Sequence, residues 1–231
     1  MVKLEKNQEM RADILNTAKV LFYEYGYKDT LFVHIANELG ITKGLITYYF
    51  GTKANLANEV YTQFEMEINN KINFMMYANH MQQYNYEPKL VIAVIQMTTL
   101  DMFHQDEKAR RFFVEHMYEN LQFGIEDTFI PFYMAQRRKG GREELKKYDY
   151  VKMVAFSQRA ARASTSLAYF RDKINIPYEE FVDYSLSLHW KIEQMPETKI
   201  KEMLETAKML YKSLQIQIKP MFEIVSGVDE L

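Results

Sequence analysis

Residues 35–53, Ile-Ala-Asn-Glu-Leu-Gly-Ile-Thr-Lys-Gly-Leu-Ile-Thr-Tyr-Tyr-Phe-Gly-Thr-Lys, decide the fold of this 231-residue chain. Gly40 stands where a helix C-terminus needs a left-handed residue, which glycine adopts at little cost. Thr42 can accept a hydrogen bond from a free amide at Gly44 or Leu45 and so start a second helix. Gly51 ends that helix after about two turns, and Thr52 opens another. Two short helices around a glycine turn predict a helix-turn-helix.

Helical spacing sorts the second helix into two faces. Ile46 and Phe50 share a stripe with Ile41, while Lys43, Gly44, Thr47 and Tyr48 lie opposite. The first stripe is core. The second offers a cation, a place of close backbone approach, a hydroxyl and a phenol, which suit phosphate oxygens and base edges. No acidic side chain occurs in residues 39–58. Lys53 adds a positive charge in the first turn of the next helix, where free amides favour a phosphate. Upstream, Ile14, Ala18, Leu21, Phe22 and Tyr25 form a stripe over residues 10–25, with Gly26 as its stop. Three helices can then share one small core.

This region resembles the DNA-binding domain of the tetracycline-repressor (TetR) family of transcriptional regulators. The matching residues are Arg11, Ile14-Leu15, Ala18, Leu21-Phe22, Gly26-Tyr27, Thr30, Ile35-Ala36, Gly40-Ile41-Thr42-Lys43-Gly44, Ile46, Tyr49-Phe50, Lys53 and Leu56. The resemblance implies an all-α chain: a three-helix helix-turn-helix domain at 1–52, joined to a larger helical domain at 53–231 for effector binding and dimerisation. It also implies that Thr42, Lys43, Gly44, Thr47, Tyr48, Tyr49 and Lys53 contact operator DNA, that the chain is a repressor rather than an enzyme, and that it works in the cytoplasm. Leu31, Val33, Leu45 and Thr47 depart from the frequent family residues, so the resemblance carries no operator sequence.

Composition narrows the function classes. A 48% hydrophobic content over 231 residues is enough for one large core plus a small domain. The formal net charge is −2, and residues 1–60 hold seven Lys/Arg against seven Asp/Glu, so any DNA contact must come from a local cationic face. Doubling that face in a homodimer is one reason to expect one. With no cysteine, disulfides, thiolate metal sites and cysteine nucleophiles are excluded. The longest strongly apolar run, 90–100, is well short of the roughly 20 residues of a membrane span, so no membrane partner is expected.

The remainder divides into long helical segments at 52–78, 89–103, 106–122, 147–172, 178–193 and 197–217, with a polar connection at 79–88 and a basic loop at 137–142. Along the last two helices Phe181, Leu188, Ile192, Met203, Leu210 and Leu214 repeat at helical spacing. They predict either a homodimer interface, as the resemblance implies through a four-helix bundle, or the chain's own core. In the middle, Phe103, Phe113, Met117, Phe123, Met153 and Phe156 can line an apolar cavity for a small apolar or aromatic effector, with His104, His116 or Arg159 as polar contacts; plain core is the alternative. The small residues of 159–168 permit close packing or leave space.

An enzyme of the carboxylate-bridged metal type needs two Glu-x-x-His pairs. The chain offers only Asp101-Met-Phe-His104, and its serines lie in no nucleophile-elbow pattern. No cofactor or metal is expected. A C-terminal domain that binds a protein partner remains a third reading.

Overall fold

Helix punctuation by glycine, threonine and aspartate accounts for most of the architecture. The computed structural model describes residues 2–80, 88–119 and 148–226. Among them the chain is all-α apart from one small hairpin. The helices are α1 (Val2–Asp29), α2 (Phe32–Leu39), α3 (Lys43–Phe50), α4 (Lys53–His80), α5 (Pro88–Gln105), α6 (Glu107–Glu119), α7 (Tyr148–Phe170), α8 (Tyr178–Ile192) and α9 (Glu197–Ser213), followed by β1 (Ile216–Lys219) and β2 (Glu223–Ser226). The basic run 137–142 and Phe123 lie outside the described residues. No helix among those described is long and apolar enough to cross a membrane.

The described residues form two compact units. The first draws on Met1–His80, Thr98–Asn120 and Leu214–Leu231, the second on Met81–Met97 and Leu121–Ser213. The division falls inside α5, and α4 groups with the helices that precede it.

In the first unit α1 packs along α4 and α6. Phe22 stacks on Phe112 with ring centroids 5.4 Å apart, and Phe103 stacks on Phe113 at 4.3 Å. Asp106 caps α6, its Oδ1 accepting from the backbone N–H of Lys108 at 3.0 Å and of Ala109 at 3.1 Å. In the second unit α8 packs between α7 and α9. Tyr169 stacks on Phe181 at 3.9 Å, and Trp190 is fully buried.

Three expectations need correction. Tyr25 belongs to no core stripe: it is 57% exposed, and the buried tyrosine is Tyr27. At Gly26 (φ 83°, ψ 172°) α1 leaves helical geometry, which rotates the following residues out of its 3.6-residue register. The last helix also stops at Ser213, short of residue 217, and an antiparallel hairpin follows with Ile216 opposite Ser226 and Lys219 opposite Glu223. Its turn holds Met221 at φ 66° and Phe222 at φ 61°, strained for residues with side chains. Burial of the Phe222 ring against Tyr23, Phe64 and Phe112 offsets that strain. Helical spacing carries no signal of such a tertiary gain.

The third correction concerns the proposed dimer stripe. Phe181, Met203, Leu210 and Leu214 are buried inside the single chain, so they are closed to a partner; Leu188 and Ile192 are half-buried. Those four face the chain's own interior, while Leu188 and Ile192 keep part of their surface exposed.

Candidate nucleic-acid interface

The turn between α2 and α3 forms as its residues dictate. Gly40 is left-handed (φ 63°, ψ 31°), and its N–H and that of Ile41 bond back to the carbonyls of Asn37 and Ala36 at 3.3 and 3.0 Å. Thr42 is the N-cap of α3, its Oγ1 accepting from the Leu45 N–H at 3.4 Å. Gly51 (φ 69°) closes α3, and Thr52 caps α4 by accepting from the Asn55 N–H at 3.1 Å.

The start of α2 carries a less legible device. Leu31 stands at the N-cap without a hydroxyl, and His34 Nδ1 accepts the Leu31 N–H at 3.2 Å instead. Thr30 is wholly buried and donates its hydroxyl between the carbonyls of Gly26 (2.8 Å) and Leu21 (3.0 Å), which pins the kink of α1 to α2. Only the Ser/Thr-type position before a helix hints at that role in sequence.

On α3, Ile46 and Phe50 are buried while Thr42, Lys43, Gly44, Thr47 and Tyr48 are exposed, Tyr48 to 75%. Thr47 donates its hydroxyl to the Lys43 carbonyl at 3.2 Å, leaving its oxygen lone pairs outward. A Cβ on Gly44 would meet only Thr42 Oγ1, at 3.8 Å, so no internal packing requires a glycine there. Its missing side chain instead leaves a low point on the outer face, where another backbone can approach.

Tyr49 and Lys53 stand differently. Tyr49 is half-buried, edge-on to Tyr48 with centroids 5.3 Å apart, and its hydroxyl donates to Asn7 Oδ1. The Lys53 ammonium donates to the carbonyls of Tyr27 (2.9 Å) and Lys28 (3.3 Å) and lies 4.3 Å from the centre of the Tyr27 ring. It therefore ties α4 to the end of α1, with one remaining N–H for an outside acceptor. Behind the face, Arg11 pairs with Glu59 and its guanidinium lies 4.9 Å from the centre of the Phe50 ring.

The residues expected to line an effector cavity are not gathered in one unit. Phe103, Phe113, His116 and Met117 are buried in the first unit as packing, with His116 parallel to Phe112 at 5.6 Å. Burial pushes the His116 imidazole down to about 4. His104 belongs to the same unit and is exposed. In the second unit Met153 and Phe156 are 63% and 41% exposed, and Arg159 is half-buried.

Residues 14–60 match the family described as bacterial regulatory proteins, tetR family. No curated protein matches the chain. Among solved structures, a TetR-family transcriptional regulator from Pectobacterium atrosepticum aligns at 16% identity and a TM-score of 0.45, covering 94% of this chain and 98% of that one. A gamma-butyrolactone receptor (ArpA-like protein) aligns at 14% and 0.42, covering 90% and 99%. The TetR family protein CprB from S. coelicolor A3(2) aligns at 15% and 0.38, covering 90% and 98%. TM-scores this low carry no argument. The family match spans the helix before the turn, both helices of the motif and the start of α4, and its members are regulators rather than enzymes. Residues 14–60 thus carry the DNA-binding domain of the bacterial regulatory proteins of the tetR family.

Proposed function

We propose that this chain is a repressor that binds a near-palindromic operator as a homodimer and is controlled by a small apolar or aromatic effector in the cytoplasm. Residues 1–52 would read the DNA and residues 53–231 would bind the effector and the second protomer. Thr42, Lys43, Gly44, Thr47 and Tyr48 face the major groove, Tyr49 orients the strip, and Lys53 reaches a phosphate with its remaining N–H. Two copies of α3 sit about one DNA turn apart, roughly 34 to 36 Å, and the effector favours a conformer with another spacing.

One observation carries this reading: Lys43, Thr47 and the 75% exposed Tyr48 project from a helix anchored by buried Ile46 and Phe50. The test is sequencing of genomic DNA retained by the purified protein. The expected result is a recurring pseudo-palindrome whose half-sites are about 10 base pairs apart, or a multiple of that. Fragments with no shared sequence, or the same enrichment by a Lys43→Ala, Tyr48→Ala double variant, would overturn it.

A further inference from the structure

A recess within the second unit joins polar groups that the packing there leaves unmatched. It is lined by Lys89 and Gln96 of α5, Gln158 and Arg162 of α7, and His189 of α8, with Glu193 just beyond α8. The enclosed space is about 10 Å³, within about 300 Å³ that opens to solvent.

Gln158 and His189 are buried, and the His189 ring makes no hydrogen bond of full geometry, only a weak approach to the Leu186 backbone. The buried Gln96 Oε1 and Arg162 Nε are without partners. Leaving even one such group unmatched in a folded interior is costly, and here three side chains converge on the same space. Charge points to what fills it. Lys89 and Glu193 neutralise each other at 3.0 Å, and Gln158 Nε2 donates to Glu193 Oε1 and to the His189 carbonyl, both at 3.3 Å. Arg162 makes no ion pair among the described residues. Burial, together with Arg162 and Lys89, pushes the His189 imidazole down to about 3, so near neutral pH it balances no charge. Among the described residues the lining carries a net charge of +1, from Lys89 and Arg162 against Glu193.

We infer that this recess receives the carboxylate of a small organic acid, with Arg162 as counter-ion and His189 and Gln96 as flanking donors. The neutral imidazole always has one N–H to donate, and a half-turn of the Gln96 amide exchanges its unmatched oxygen for an N–H. The narrow interior has room for one carboxylate oxygen, and the rest of the acid lies in the open portion beside Ile92. A water is the competing occupant: it fits the volume but leaves the arginine charge unmatched. The regulatory consequence rests on the effector-controlled reading above; the binding itself does not.

The test uses the full chain with acetate, hexanoate and benzoate, each set against its amide, which has the same shape without the charge. Thermal midpoint and titration calorimetry should show that an acid binds and its amide does not, because a ligand held only by the folded state raises the midpoint. Arg162→Gln should weaken binding at least about tenfold, and Gln96→Leu several-fold, which gives a second variant should the first fail to fold. No response to any acid, an equal response to acid and amide, or an Arg162→Gln protein that binds as well as wild type would overturn the inference and leave a buried water only. Retention of selected DNA is measured alongside. An acid that binds without altering it preserves the pocket and removes the effector reading, whereas DNA release by a neutral compound independent of Arg162 does the reverse.

Discussion

Glu115 on α6 reaches the kink of α1: its Oε2 accepts the backbone N–H of Lys28 at 2.9 Å, and the same oxygen lies 2.6 Å from where a Cβ on Gly26 would stand. A side chain at 26 must displace this carboxylate and also occupy φ 83°, so the two effects add. Gly26→Ala should lower unfolding free energy by about 1 to 3 kcal/mol in urea titrations. A variant as stable as wild type would dismiss the role given to this junction.

Gly44 should behave in the opposite sense for stability. Because a Cβ there meets nothing closer than 3.8 Å, Gly44→Ala gains helix propensity and should stabilise the protein by about 0.5 to 1 kcal/mol. The added methyl raises the low point on the outer face of α3, so affinity for selected operator DNA should fall. Melting curves and gel-shift titrations read the two effects separately, and affinity rising together with stability would contradict the close-approach argument.

The two faces of α3 should separate cleanly on mutation. Lys43→Ala and Tyr48→Ala remove exposed groups and should change stability by no more than about 0.5 kcal/mol, while each weakens operator binding by about 1 to 3 kcal/mol. Loss of Lys43 should also reduce the salt dependence of binding by about one phosphate contact. Ile46→Ala leaves a cavity in the small core and should cost about 2 to 5 kcal/mol of stability. Denaturant midpoints distinguish the groups; an unaffected Ile46→Ala protein would refute the anchoring.

Acid should weaken the fold before its carboxylates titrate. His116 is held down to about 4 and His189 to about 3, against 6.5 in the unfolded chain. Below pH 6.5 the unfolded state takes up protons that the folded state refuses, so this stability is complete above 6.5 and is lost as pH falls towards the folded values. Each imidazole contributes a slope of about 1.4 kcal/mol per pH unit over that range. His116→Phe should remove roughly half of the loss between pH 6.5 and 5 in urea titrations; an unchanged slope would show that His116 protonates freely in the native protein.

Met203 and Leu210 face inward, so Met203→Ala and Leu210→Ala should lower the melting temperature without changing the oligomeric state in sedimentation equilibrium. Weakened association at unchanged stability would return these residues to an interface.

Much of the helix-turn-helix could be read from residue order, because its physics is local. Gly40, Thr42, Gly51 and Thr52 act on backbone groups within four residues of themselves, and Ile46 and Phe50 are set apart from Tyr48 by the helical period alone. What lay beyond reading depends on partners distant in the chain. The inward turn of Phe181 and Met203, the hairpin stabilised by Phe222 against Tyr23 and Phe64, and the diversion of Lys53 to the carbonyls of Tyr27 and Lys28 each follow from which surfaces meet on folding. An apolar stripe states that a face must be covered and leaves open by what, and that choice is made only when the helices pack.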